Sequence, residues 1–466
     1  MERKTKIVCT IGPKSRSQTL LKRMIDAGMD AARLNFSFGT YDWHRKAINM
    51  IRDLSNEYVG IIQDLQGPRI RIGEMNPLQV TPGEIVHISQ DAIPLSHPEL
   101  LKDTEVGDRM LIKDGAIALK IIEVTSGRLA CRVQNGGCIT PNSNVSFPDS
   151  KLSVKSLTEK DIRDLQWGLD HDVDYIALSF VKNAADLHEA REYLNEHSTR
   201  SHLIAKIETR SAIANLDEIA QTADAIMVAR GDLGVQFPIV KVPRLQRQII
   251  KKANDFGKPV IVATQMLSSM VENPNPTRAE VQDISSAVLA GADAVMLSEE
   301  TAIGNYPVRA IQVMAETASE SERDFPHEQW MSEERIHQDS VYEAIAYSAC
   351  RIISSLPETS AIISETSSGV TAKRVSKFRP REEILALTPH FKTARLLSIV
   401  WGVFPTIMEK TESINEMIQR TDEVLKREHR VEDGDLTVLT AGFPFGIGKK
   451  TNFIKVHRIS ERKTSM

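Results

Sequence analysis

The chain has 466 residues, with 58 Lys and Arg against 62 Asp and Glu, a formal charge of −4 and 41% hydrophobic residues. At about 150 residues per domain that length holds two to four domains, and the ordinary apolar content excludes disorder as the main state. Near-neutral charge sets aside a nucleic-acid partner held by bulk positive charge.

Short apolar, β-branched runs predict strands at 6–10, 31–35, 60–64, 175–178, 203–206, 225–228, 259–263 and 294–297. Amphipathic stretches between them predict helices, among them 18–27, 159–169, 184–195, 242–256 and 278–289. Eight strands, each followed by a helix, is the count of a (β/α)8 TIM barrel; an open doubly wound sheet uses the same units, but eight in one run favour closure. The alternation breaks after the third strand. From Gly67-Pro68 to Ser150 the chain is rich in Gly, Pro, Val and Ile at period two, as in Pro82-Gly83-Glu84-Ile85-Val86-His87-Ile88. That pattern predicts an all-β insert. A polar stretch over 325–338 marks a second boundary. Beyond it a helix (340–354), strand (360–364), helix (371–378) and strand (383–387) predict a smaller open α/β domain. The expected units are therefore 1–67 and 151–326 for the barrel, 68–150 for the insert and 338–466 for the C-terminal domain.

Cys9, Cys131, Cys138 and Cys350 are too few and too scattered for a disulfide framework and read as reduced thiols. Met1-Glu2-Arg3-Lys4 runs straight into a strand-like segment without a secretory h-region, and no apolar run has bilayer length. A cytoplasmic protein with no membrane partner is expected.

Functional groups of a barrel cluster where strands end and loops begin. Those positions hold Arg33, Asn35, Asp64, Ser179, Lys206, Glu208, Arg230-Gly231-Asp232, Thr264 and Ser298-Glu299-Glu300. Lys206 and Glu208 are two apart, so both can point into one mouth. With Asp232 they offer two carboxylates for a hard divalent cation and a lysine for an anionic, oxygen-rich substrate. Gly231-Asp232-Leu233-Gly234 can open a helix with free N–H groups for a carboxylate or phosphate. The structural alternative is a Lys206–Glu208 strand-end salt bridge and an Asp232 N-cap. It accounts for each residue singly but not for the whole cluster on one face.

Thr5–Pro13 (TKIVCTIGP), Ala32–Ser37 (ARLNFS), Ala205–Glu208 (AKIE), Met227–Gly234 (MVARGDLG), Ala263–Leu267 (ATQML) and Met296–Ala302 (MLSEETA) resemble pyruvate kinase, in that family's order and spacing. The resemblance implies a barrel domain, a small β-barrel lid and a C-terminal regulatory domain. The implied activity is phosphoryl transfer from phosphoenolpyruvate to ADP, giving pyruvate and ATP, with Mg2+ or Mn2+ held by Glu208 and Asp232. Lys206 would stand against the transferring phosphoryl group and the enolate. Arg33 would clamp the phosphate, Ser179 would bound its pocket, and Gly231 and Asp232 N–H groups would hold the carboxylate. Thr264 would lie on the face where the enolate is protonated, through a water relay. Thr10, Pro13, Asn35, Trp43, Arg71 and Asp114 would serve the nucleotide; for Trp43 a place as a core aromatic of the second helix is the alternative. A homotetramer and a phosphorylated effector also follow from the resemblance, the effector on the hydroxyl-rich loop Thr366-Ser367-Ser368-Gly369-Val370-Thr371, for which a simple N-cap cluster is the alternative.

Two departures from the family pattern concern the nucleotide. Phe38 stands where many members carry a His, and the lid stretch Pro141–Asp149 (PNSNVSFPD) lacks a basic residue. They motivate a catalytically weak paralogue acting as a metabolite sensor as one competing reading; a Mg2+-dependent enolate lyase on the same barrel is another. A third departure concerns K+. K+-dependent members continue the third strand as Asp-Thr-Lys-Gly-Pro-Glu, with the ion near the aspartate and the Asn and Ser of the second loop. Asn35, Ser37 and Asp64 are present, but Leu65 and Gln66 differ and Arg69 replaces the glutamate. A fixed guanidinium there predicts an enzyme that does not require K+; a solvated hinge residue is the alternative.

Overall fold

The computed structural model describes residues 2–197, 200–334, 340–442 and 451–460. Eight strands, Lys6–Thr10, Ala31–Asn35, Gly60–Asp64, Tyr175–Leu178, His202–Ile207, Ala225–Ala229, Val260–Ala263 and Ala294–Leu297, form a closed parallel barrel in chain order. The first pairs with the last, Lys6 opposite Ala294. The strands are short and apolar because both faces are buried: all five residues of Lys6–Thr10 and of Gly60–Asp64 are enclosed. One face packs on the surrounding helices. The other fills the lumen, with Val8, Ile62, Tyr175, Ile204, Met227 and Met296 among its residues.

Between the third strand and helix Glu159–Asp170 the chain builds the all-β insert, a five-stranded antiparallel sheet and a two-stranded ribbon over their own apolar core. The C-terminal sheet has five strands in the order Val403–Ile407, Glu383–Thr388, Thr359–Glu365, Leu436–Ala441 and Phe453–Arg458, the last antiparallel.

The polar stretch read as a boundary contains a helix, His327–Glu333, whose Trp330 lies on Gly291; a Cβ there would stand 2.1 Å from the indole. Residues 335–338 of that stretch, and 338–339 at the expected start of the C-terminal domain, lie outside the described residues. Leu396 and Ile399 of the C-terminal domain join the lumen cluster and close the end of the barrel remote from the strand ends that carry the candidate site. Around this plug Arg379 meets both oxygens of Asp293 at 3.1 and 2.9 Å, and Arg395 pairs with Asp174, Asp172 and Glu57. The four cysteines are free thiols, and among the described residues no helix is long and apolar enough to cross a membrane.

Candidate active site

Parallel strands deliver their last residues to one rim, and there the structure gathers the charged groups. Lys206 Nζ is 2.8 Å from Glu208 Oε1, 3.2 Å from Asp64 Oδ1 and 2.6 Å from Ser179 Oγ. Arg33 reaches Asp64 Oδ2 with Nε at 2.6 Å and Thr10 Oγ1 with Nη1 at 2.9 Å. Two cations thus share Asp64. Burial opposes its ionisation, yet Lys206 and Arg33 hold its carboxyl below the usual range. Lys206 is buried, which disfavours its charge, but Asp64 and Glu208 outweigh burial and raise its pKa.

Glu208 and Asp232 lack that compensation. Burial pushes Glu208 up to about 7, opposed by Lys206 and reinforced by Asp232; burial also raises Asp232, against Lys206 and Arg69. Buried Glu208 and half-buried Asp232, both under-neutralised, suit a divalent cation whose remaining positions substrate oxygens would fill. Among the described residues no group of three or more His, Cys, Asp or Glu could hold a metal by itself. The salt bridge weighed for Lys206 and Glu208 exists, as one contact within this larger cluster. Asp232 is not an N-cap: it lies in the first turn of helix Arg230–Gln236, whose N-cap is Ala229 and has no side-chain cap bond.

The backbone around these groups is held in unusual conformations. Thr264 and Gln265 both have positive φ, +68° and +55°, which is costly for a β-branched residue. The Gly231 N–H donates to Thr264 Oγ1 at 2.9 Å, so this expected carboxylate donor is engaged by the expected proton-relay residue. The Arg230 guanidinium anchors the turn, with Nη2 on the Thr264 carbonyl, Nε 3.2 Å from the Ala263 carbonyl and Nη1 paired with Asp283. Glu208 Oε2 accepts the Phe180 N–H at 2.7 Å, where φ is +56°. The sequence places Arg230 at a strand end without specifying this anchoring; the Phe180 N–H, a backbone group, leaves no residue-type signal.

A cleft of 530 Å³ between lid and rim is lined by Ser179, Lys206, Glu208, Gly231, Asp232, Arg69 and the lid's Asp114, among others.

The family models for "Pyruvate kinase, barrel domain" and "Pyruvate kinase, alpha/beta domain" match residues 2–311 and 343–457. Pyruvate kinase 2 of Synechocystis is 42% identical over 472 residues, covering 98% of this chain and 79% of the relative. The chain belongs to the pyruvate kinase family. Pyruvate kinase from Geobacillus stearothermophilus is 40% identical over 477 residues, 99% of this chain and 81% of that one. A crystal structure of a pyruvate kinase from Cryptosporidium parvum superposes with a TM-score of 0.93 at 34% identity, covering 98% and 96% of the two chains. Pyruvate kinases are phosphotransferases, and this chain is one of them.

The remaining family positions are dispersed. Pro13 is exposed, and Trp43 is half-buried, packed on the barrel core and edge-on to His44 at 4.8 Å. Arg71 donates to the Asn142 carbonyl within the lid at 2.8 Å and is not among the residues lining the cleft. Asn35 Oδ1 accepts the Ser37 N–H at 3.0 Å, and the Leu65 carbonyl accepts the Ser179 hydroxyl at 2.8 Å. Phe38 is 68% exposed. The loop Thr366–Thr371 lies in the C-terminal domain. Thr366 Oγ1 caps the Gly369 N–H at 2.9 Å, Thr371 Oγ1 meets Thr451 Oγ1 at 2.9 Å, Ser367 and Ser368 are exposed, and Val370 begins the helix Val370–Lys377.

Proposed function

We propose that this cleft moves the phosphoryl group of phosphoenolpyruvate to ADP, giving pyruvate and ATP. The observation that carries it is Lys206, fixed between Asp64, Glu208 and Ser179 and facing Asp232 in the cleft beneath the lid, in a chain of the pyruvate kinase family. The fixed cation of Lys206 stabilises the charge spread over the phosphoryl oxygens and then the enolate oxygen. Arg33, its fork braced by Asp64 and Thr10, orients the phosphate, with Ser179 closing the pocket. Asp232 and Glu208 would hold Mg2+ or Mn2+, which when bound would supply positive charge to an anionic substrate. Thr264 stands where the enolate carbon takes its proton. Thr10, Pro13, Asn35, Trp43, Arg71 and Asp114 serve the nucleotide.

The same reading includes K+-independence through Arg69, a phosphorylated effector at Thr366–Thr371, a homotetramer, a cytoplasmic location, and the division into barrel (1–67, 151–326), lid (68–150) and C-terminal domain (338–466). A coupled assay for pyruvate from phosphoenolpyruvate and ADP with Mg2+ tests it. Turnover is expected; phosphoenolpyruvate binding without turnover would overturn this reading in favour of a metabolite sensor.

A further inference from the structure

The lid leaves the barrel after Gly67 and returns before helix Glu159–Asp170, and one side chain holds both connections. Asp161, in the first turn of that helix, is fully buried. Its Oδ1 accepts the Gly67 N–H at 3.0 Å. Its Oδ2 accepts the Thr158 N–H at 2.9 Å and the Thr158 hydroxyl at 2.6 Å. A buried carboxylate is costly unless its lone pairs are used, and these donors come from the outgoing and returning chains alike. A capping box explains the Thr158 half. It does not explain the bond to Gly67, 94 residues earlier.

Gly67 is fixed from other sides as well. Its φ is +65°, and a Cβ would stand 2.9 Å from Ser179 Cβ and 3.0 Å from the Phe180 ring. The Leu65 N–H donates to the Ala177 carbonyl at 3.0 Å, and the Leu65 carbonyl takes the hydroxyl of Ser179, the residue that receives Lys206. Two residues beyond Gly67, Arg69 enters the cleft, where the lid's Asp114 also arrives. Leu65 and Ser179 are thus tied to the barrel, and moving Gly67 shifts Arg69 and the lid that carries Asp114 instead.

We propose that Asp161 is a positioning residue for phosphoryl transfer: a clasp that ties the outgoing and returning lid connections together at the rim and so sets where Arg69 and Asp114 meet the cleft. This rests on the phosphotransfer reading above. An asparagine at 161 keeps the shape but offers one acceptor oxygen and one NH2, so it cannot accept from both connections.

Asp161→Asn in the full chain is therefore expected to lower kcat about tenfold or more and to raise KM for ADP. Its affinity for phosphoenolpyruvate, titrated without nucleotide, should change less than about threefold, because the barrel rim is intact. Proteolysis within 68–150 should speed up by roughly fivefold or more as the lid loosens. A kcat within about twofold of wild type, or phosphoenolpyruvate affinity falling in step with kcat, would overturn the clasp. Hydrogen exchange in the wild-type chain needs no variant to fold. The Gly67 amide should exchange on the order of a hundredfold slower than an unprotected amide, and unprotected exchange would equally refute the proposal. Absence of turnover in the wild type would refute the phosphotransfer reading itself, whereas an active wild type matched by Asp161→Asn would refute only the clasp.

Discussion

Lys206 is the residue on which most of the site's electrostatics converge. A cation held by Asp64 and Glu208 needs no reorganisation as charge develops on the transferring group, so its effect belongs to the transition state. Lys206→Met should therefore lose on the order of 10²-fold or more in kcat with a smaller change in KM for phosphoenolpyruvate, measured by steady-state kinetics. A rise in KM alone would make it a binding residue. The same substitution strips buried Glu208 of its cation and leaves Asp64 with Arg33 alone, so thermal unfolding should show a loss of about 3 kcal/mol. Arg69 offers a second test at this scale, because its charge opposes the raised pKa of Asp232. At about 5 Å and an effective dielectric near 20, a guanidinium repels a second cation by roughly 3 kcal/mol. Rates in Na+, K+ and tetramethylammonium at fixed ionic strength should be alike, and Arg69→Glu should respond to K+. A wild-type rate that climbs about tenfold with K+ contradicts this. Lys206, Glu208, Asp64 and Arg33 were legible in the sequence because a strand end fixes both position and direction. The bond from Gly67 to Asp161 and that from the Phe180 N–H to Glu208 were not. Their partners lie far along the chain, and their contribution is hydrogen-bond geometry, which residue type does not announce.

At the scale of elements, the barrel strands were legible because a strand buried on both faces must be a short apolar run. Six of the eight expected strands, among them 6–10, 31–35 and 60–64, start where the structure starts them. Past residue 387 the pattern weakened for physical reasons. Val403–Ile407 is an edge strand that carries Pro405, tolerable only where a backbone N–H is not needed by a neighbour. Phe453–Arg458 is the other edge and carries Lys455, His457 and Arg458, which hide its strand character. The loop before helix Val370–Lys377 also shows what spacing leaves open. Thr366 and Thr371 use their hydroxyls within the protein, so exposed Ser367 and Ser368 remain for a ligand. A phosphorylated effector should therefore give binding heat in calorimetry across sugar phosphates and AMP. Ser368→Ala should weaken it by roughly tenfold, one hydrogen bond to a charged group. No heat from any compound would leave the loop as a helix cap.

The whole molecule depends on how the C-terminal domain seats on the closed end of the barrel, and that seat contains a titrating group. His327, in the helix that joins the two domains, has Nδ1 2.8 Å from the Arg379 carbonyl, and Arg379 in turn grips Asp293 of the barrel. Burial pushes the His327 pKa down to about 4, with Lys4, Arg381 and Arg379 adding repulsion and the Arg379 carbonyl opposing them. A base whose folded pKa is lowered contributes stability that is fully present above its ordinary pKa, 6.5, and is lost as pH falls through 6.5 towards 4. The shift corresponds to about 3 kcal/mol at its limit; solvent screening of the partly exposed ring reduces this to roughly 1–2. His44 and His202, lowered by burial to about 4 and 3, act in the same window, so the wild type should lose thermal stability steadily between pH 7 and 4. His327→Gln keeps a donor for the Arg379 carbonyl and removes one titration. Its unfolding temperature should match the wild type at pH 8 and exceed it at pH 5, by a few degrees on the scale of about 1–2 kcal/mol in a chain of this size. Calorimetric scans at the two pH values decide it: equal pH slopes in both proteins would mean that His327 takes up no proton on unfolding, and that acid opens the molecule elsewhere.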